Sequence, residues 1–300
     1  MKRLLASAAL LSVLSAGPAL ADNWRAKFKE IRFGVIPVET QTQTSDTMEG
    51  FVAYASKKLG VPVKTFTATE FIGINNALIA GQIEMAWTSP SAYSGSWMEC
   101  NGCVKPLVTA TDKDGNLGYN SVLIVKSESP YKSYEDLKGK TVARTEPNSQ
   151  SGYLVPTVQF KQMGKPVDQF FKSPVSGGHT QSVLGVLQGT YDAAFTWTTK
   201  GDGYGQLRTM IDKGLLDRSK IRVIWESALV PPPPVIVRSD IPADLEKELR
   251  DLFVNIHKDD MKLAEAVAKG KTQGFVPATH NMYESTVAMR KELRDMRKKS

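Results

Sequence analysis

Glu146-Pro147-Asn148-Ser149-Gln150-Ser151-Gly152-Tyr153 joins a strand-like run, 140–143, to an amphipathic run, 153–163. The turn places two hydroxyls, a side-chain amide and a glycine where a helix begins. The first turn of a helix has N–H groups without intrahelical partners and carries about half a unit of positive charge. Such a turn suits a tetrahedral oxyanion. A Ser at this point more often only caps the helix, so one such turn is weak evidence for a ligand.

Two further turns have the same character. Ser176-Gly177-Gly178-His179-Thr180 precedes the apolar positions Val183, Leu184, Val186 and Leu187. Its glycines allow close backbone approach, and His179 adds a ring donor at the helix start. Thr88-Ser89-Pro90-Ser91-Ala92-Tyr93 follows the apolar strand 83–87, with Pro90 fitting a first helical position. Together the three turns point to a cleft lined by helix N-termini.

Strands and helices alternate around these turns, which argues for α/β layers with parallel sheets. The expected strands are 31–36, 61–66, 83–87, 121–126, 141–143 and 235–238. Helices are expected over 47–59 and 70–80, closed by Gly60 and Gly81, and the remainder after 238 reads as helical over 242–257, 259–268 and 281–298. The mature length fits two lobes, the second inserted into the first: lobe 1 over 22–120 and 231–300, lobe 2 over 121–230. The run Pro231 to Pro234 reads as a stiff extended segment at the crossing.

Lys2 and Arg3, the apolar run 4–16 and the small-x-small site Ala19-Leu20-Ala21 read as a secretory signal peptide over 1–21, giving a periplasmic mature protein. The apolar run is shorter than the roughly 20 residues of a spanning helix. Losing Lys2 and Arg3 lowers the formal charge from +7 to +5, which suits an anionic ligand. The basic residues are mostly scattered, so nucleic acid is not expected. The basic tail 290–299, interrupted by Glu292 and Asp295, reads as a solvated helix face. Cys100 and Cys103 are expected to form a local disulfide in an exported chain. No metal or cofactor is expected, since only His179, His257 and His280 accompany that pair.

In Gly34-Val35-Ile36-Pro37, in 86–93, in 136–143, in 147–156 and in Ser176-Gly177-Gly178-His179 through 189–194, the chain resembles the periplasmic phosphate/phosphite/phosphonate-binding proteins of ABC importers. These pieces occur in family order across most of the mature chain. The resemblance implies the two-lobed type II solute-binding fold and an inner-membrane ABC permease as partner, and the protein is expected to be monomeric. It also implies that Tyr93 from the first lobe, and Ser149, position 150 and His179 from the second, close on a phosphonate-like head group. Ser89 and Ser151 join them as helix-start donors, and Asp202 is the nearest match to the family's acidic residue after the 191–194 strand. Two positions depart from the pattern. Gln150 stands where Thr is common, and the loop after the first strand, which usually supplies a Tyr, offers Thr42 or Thr44 instead.

The function expected is capture of a phosphonate, phosphite or phosphate-type oxyanion by fixed donors, with Trp87, Trp97 and Trp197 as candidate cleft walls. Rival readings are a sulfonate or amine-bearing anion on the same fold, an enzyme, and a sensor module. No nucleophile–His–acid set is recognisable, although Glu39, Glu70 and Asp202 could converge in space.

Overall fold

A computed structural model describes residues 24–36 and 41–299, except for the side chains of 41–47 and 299. The expected leader, Glu39 and the side chains of Thr42 and Thr44 lie outside the described residues.

The strands are β1 Ile31–Val35, β2 Val63–Thr67, β3 Met85–Trp87, β4 Val104–Ala110, β5 Asn120–Lys126, β6 Val142–Ala143, β7 Ala193–Thr198, β8 Ile221–Glu226, β9 Pro234–Arg238 and β10 Phe275–Pro277. The helices are α1 Trp24–Lys27, α2 Gln41–Leu59, α3 Phe71–Ile79, α4 Pro90–Glu99, α5 Val155–Gln162, α6 Val167–Phe170, α7 His179–Gln188, α8 Gln206–Asp212, α9 Ala243–Asp259, α10 Met261–Ala268 and α11 Glu284–Lys299. Gly60 and Gly81, just past α2 and α3, have φ of 68° and 71°, the left-handed conformation that ends a helix most cheaply in glycine.

The strands form two sheets, ordered β10-β4-β9-β3-β1-β2 and β6-β7-β5-β8. In the first, β1 stands parallel between β2 and β3, while β9 runs antiparallel between β3 and β4. In the second, β5 is antiparallel to both neighbours and only β6–β7 is parallel among the described pairs. The sheets are therefore mixed, where the alternation of elements argued for parallel ones. Connectivity accounts for one such pair: the chain leaves the first sheet at the end of β4 and returns at that same end as the adjacent β9, Thr109 lying opposite Pro234, so the two run antiparallel.

Alternation along each strand sets the cores. Phe33 of β1 packs against Phe51 of α2 and Phe253 of α9, with ring centroids 5.2 and 6.0 Å away. The next residue, Gly34, faces α3, where a Cβ would stand 3.1 Å from Ile74. In the second sheet Val122 and Ile124 join Val183, Val186, Leu207 and Met210 under α7 and α8. Leu123 and Val125 turn the other way, to Phe160 and Val167 under α5 and α6. A strand buried on both faces has no polar alternation, which is why β5 reads as a plain apolar run.

Among the strands outside the expected set, β4 and β10 carry a proline. Pro106 interrupts the apolar run of β4, and the ladder with β9 shifts register between Pro106 and Val108. Short β10 lies where only helix was expected, and its Pro277 is tolerated because β10 is an edge strand.

The two crossings between sheets run side by side. Tyr119 and Val230 exchange backbone hydrogen bonds of 3.1 and 2.9 Å. The prolines that follow act as acceptors: Pro232 O from the Tyr283 hydroxyl, Pro233 O from Thr109 and Pro234 O from the Thr88 N–H. Helix α11 spans the seam, with Leu293 packed on Leu154 and Val158 of the second lobe. The tail is thus only partly a solvated face. Lys291, Arg294 and Arg297 are exposed, but Leu293 is buried and Arg290 donates to Pro147 O and Asn148 Oδ1.

Candidate functional site

Ser149 has extended backbone angles, φ −69° and ψ 133°, and its Oγ accepts from Gly152 N at 3.1 Å. The turn it caps, Gln150–Leu154, is a single π-helical turn that runs into α5. Such turns widen the backbone spiral and recur at functional sites. Gly152 is demanded by space, since a Cβ there would sit 2.1 Å from Thr145 Oγ1. The turn is held in place by Thr145 N, which donates to Gly152 O, and by Ser121 Oγ, which donates to Ser151 O at 2.6 Å.

His179 opens α7 directly after Gly178. Its Nε2 lies 3.2 Å from Ser149 Oγ and its Nδ1 3.2 Å from Thr196 Oγ1. Burial pushes the imidazole down to about 3, so the ring is neutral and carries one N–H. The two helix starts on the second sheet are therefore joined by a direct Ser149–His179 contact.

Ser89 caps α4, accepting from Ala92 N at 2.9 Å, with Pro90 in the first turn. The same hydroxyl donates to Asn148 O at 2.7 Å, which ties the first lobe to the second. Trp87, Ser89, Ser149 and His179 meet around a narrow cavity of about 20 Å³. Its polar wall is Ser89, Ser149, Gln150, Ser151 and His179, and its apolar wall is Ile36, Phe71, Trp87, Tyr119, Trp197 and Pro233. No Lys, Arg, Asp or Glu lines it among the described residues. A wider groove between Thr209 and Lys271 is more open and contains none of the three turns.

Five polar candidates from the sequence thus share one cavity. Tyr93 does not line it: the ring is fully buried, its hydroxyl lies 2.6 Å from His280 Nδ1, and it packs edge-on against Tyr283. Asp202 stands apart as well, accepting from Thr198 Oγ1 at 2.8 Å and paired with Arg218. Thr42 belongs to α2, but its side chain lies outside the described residues. Trp97 stacks on His280 at 4.2 Å rather than on the cavity, whereas Trp87 and Trp197 both line it. Cys100 and Cys103 are bonded to each other at the end of α4.

Ile36, Phe71, Tyr119 and Pro233 were not foreseen as wall residues. Tyr119 and Pro233 sit in the crossings, and a crossing necessarily runs along the floor of a two-lobed cleft, so their position held the clue. Behind the turn, Glu146 accepts from Asn148 N at 3.0 Å. Burial pushes its carboxyl up to about 8, with Glu70 of the first lobe adding repulsion.

The model of a family described as the periplasmic substrate-binding proteins of phosphonate ABC transporters matches residues 33–283. This chain belongs to that family. It is 30% identical over 261 residues to a phosphonates-binding periplasmic protein of Escherichia coli K12, covering 85% of this chain and 75% of the relative. It is 29% identical over 237 residues to the phosphate-import protein PhnD of Mycolicibacterium smegmatis, covering 75% and 72%. A binding component of a Pseudomonas aeruginosa phosphonate transporter superposes with a TM-score of 0.76 at 24% identity, covering 87% and 85% of the two chains. PhnD1 of Prochlorococcus marinus, solved with methylphosphonate, gives 0.74 at 19%, covering 89% and 98%. These likenesses fix the fold of this family member as the two-lobed type II periplasmic binding architecture, with the second lobe inserted into the first.

Proposed function

We propose that the cavity captures a small phosphorus oxyanion (a phosphonate, phosphite or phosphate) for delivery to an inner-membrane ABC permease. The observation that carries this reading is the convergence of three helix starts from two sheets on one small space between them. Ser149, Gln150, Ser151 and His179 supply neutral hydrogen-bonding groups at helix starts, and Ser89 closes on them from the other lobe. Hydrogen bonds to a charged group contribute about 1.5–3 kcal/mol each. Micromolar affinity needs about −8 kcal/mol, so roughly four to six such bonds suffice after ordering costs.

The relatives' names support the ligand class, one being described as phosphonates-binding and one as phosphate-import. The remaining expectations belong to the same proposal. Residues 1–21 direct export and are removed, the lobes divide near 120 and 230, and the protein works as a monomer that binds without turnover. Titration calorimetry with methylphosphonate, phosphite, phosphate and methanesulfonate tests the ligand class. Micromolar or tighter binding of at least one phosphorus compound is expected; an absence of heat with all three would reject it.

A further inference from the structure

Gln150 differs from the other polar groups of the cavity. The residue is 1% exposed and belongs to the cavity lining. Nε2 donates to Thr286 Oγ1 at 3.2 Å, and Thr286, fully buried on α11, is not a cavity residue. One amide N–H is therefore engaged away from the ligand space. The amide oxygen is buried and has no hydrogen-bond partner among the described residues. A buried carbonyl oxygen without a donor is a costly arrangement that a ligand can relieve.

We infer that Gln150 selects a phosphorus oxyanion that still carries one acidic proton, its Oε1 accepting from the ligand's P–O–H group. This rests on the function proposed above. A bare anionic oxygen against Oε1 would set two acceptors face to face. A hydroxyl on phosphorus supplies the missing donor, while the remaining oxygens take the donors of Ser149, Ser151 and the helix starts. A sulfonate of the same shape has no proton to give, so it leaves Oε1 unpaired, the situation in which a polar site discriminates most strongly. The uncharged lining also favours a singly charged over a doubly charged ligand, because no described side chain compensates the second charge.

Ionisable groups that share the cavity with Gln150, or sit in its turn or on helices that contact the turn, are His179 from α7, Tyr119 ahead of β5, Tyr93 from α4, Arg290 from α11 and Glu146 from the same turn. Burial holds His179 neutral and both tyrosines protonated at neutral pH. Glu146, near 8, is the one whose titration overlaps that of the ligand.

The test is calorimetry of methylphosphonate binding across the ligand's second ionisation, in two buffers of different ionisation heat, with methanesulfonate as the proton-free analogue. Above that ionisation the affinity is expected to fall about tenfold per pH unit with uptake of one proton. Methanesulfonate is expected to bind at least about tenfold more weakly. Glu146→Gln should keep this behaviour and Gln150→Met should abolish it; the wild-type proton count stands without either variant. Affinity that is flat or rises through the ionisation without proton uptake, or equal binding of methanesulfonate, would overturn the inference, the amide then presenting its nitrogen. Failure of every phosphorus oxyanion at every pH would overturn the parent proposal and this one with it.

Discussion

Ser149 performs two tasks at once, capping the π turn through Gly152 N and meeting His179 Nε2. Replacing it with Ala should therefore cost both binding and stability. Calorimetry should show affinity for methylphosphonate reduced about tenfold or more, the loss of one hydrogen bond to an anion. Thermal or denaturant unfolding of the ligand-free protein should show a loss of about 1 kcal/mol, the usual value of a capping hydroxyl. Wild-type affinity in the variant would remove Ser149 from the site. Sequence made the hydroxyl legible because Ser before an amphipathic run is a local signal. It did not make the His179 contact legible, since 30 residues separate the partners. Tyr93 shows the converse: its helix start was recognised, but His280, from the distant end of the chain, takes its hydroxyl.

At the scale of the element, the 146–152 turn is built around close contacts and a buried carboxyl. Gly152→Ala would drive a Cβ into Thr145. Overpacking of this kind costs about 1–3 kcal/mol. The turn should shift, and unfolding together with ligand titration should both report losses; an unchanged midpoint and affinity would show that the turn has slack. Glu146 predicts a pH dependence. Its carboxyl titrates near 4.5 when unfolded and near 8 when folded, so between these values the native state holds a proton that the unfolded chain releases. Stability from this group is full below about 4.5, falls as pH rises through the window, and levels off above about 8. Glu146→Gln should flatten that part of the curve, raising the melting temperature at pH 8 relative to wild type more than at pH 5. A parallel decline in both proteins would count against a buried, protonated Glu146. Most helices were legible from periodicity and closing glycines. Strands β4 and β10 were not, because Pro106 and Pro277 mask segments whose pairing is supplied by partners remote in sequence.

For the molecule as a whole, the order of elements and the mature length disclosed an α/β fold of two lobes, and the resemblance supplied its type II architecture. The mixed sheets were hidden, since strand direction follows from where the chain re-enters the first sheet. The cavity exists because the lobes meet: Ser89 donates across to Asn148 O, Arg290 reaches Pro147 O, and Gln150 reaches Thr286. These three contacts join groups from opposite sides of the seam. The arrangement is that of a closed binding protein, in which the same hydroxyls that cap helices also hold the lobes together. The central claim is that the captured solute lies in this seam, and a crystal structure of the protein saturated with methylphosphonate tests it most directly. Phosphorus density within hydrogen-bonding reach of Ser149, Ser151 and His179, with Ser89 facing it from the first lobe, is the expected result. Density in the outer groove near Lys271, or an empty seam at saturating ligand, would contradict the account.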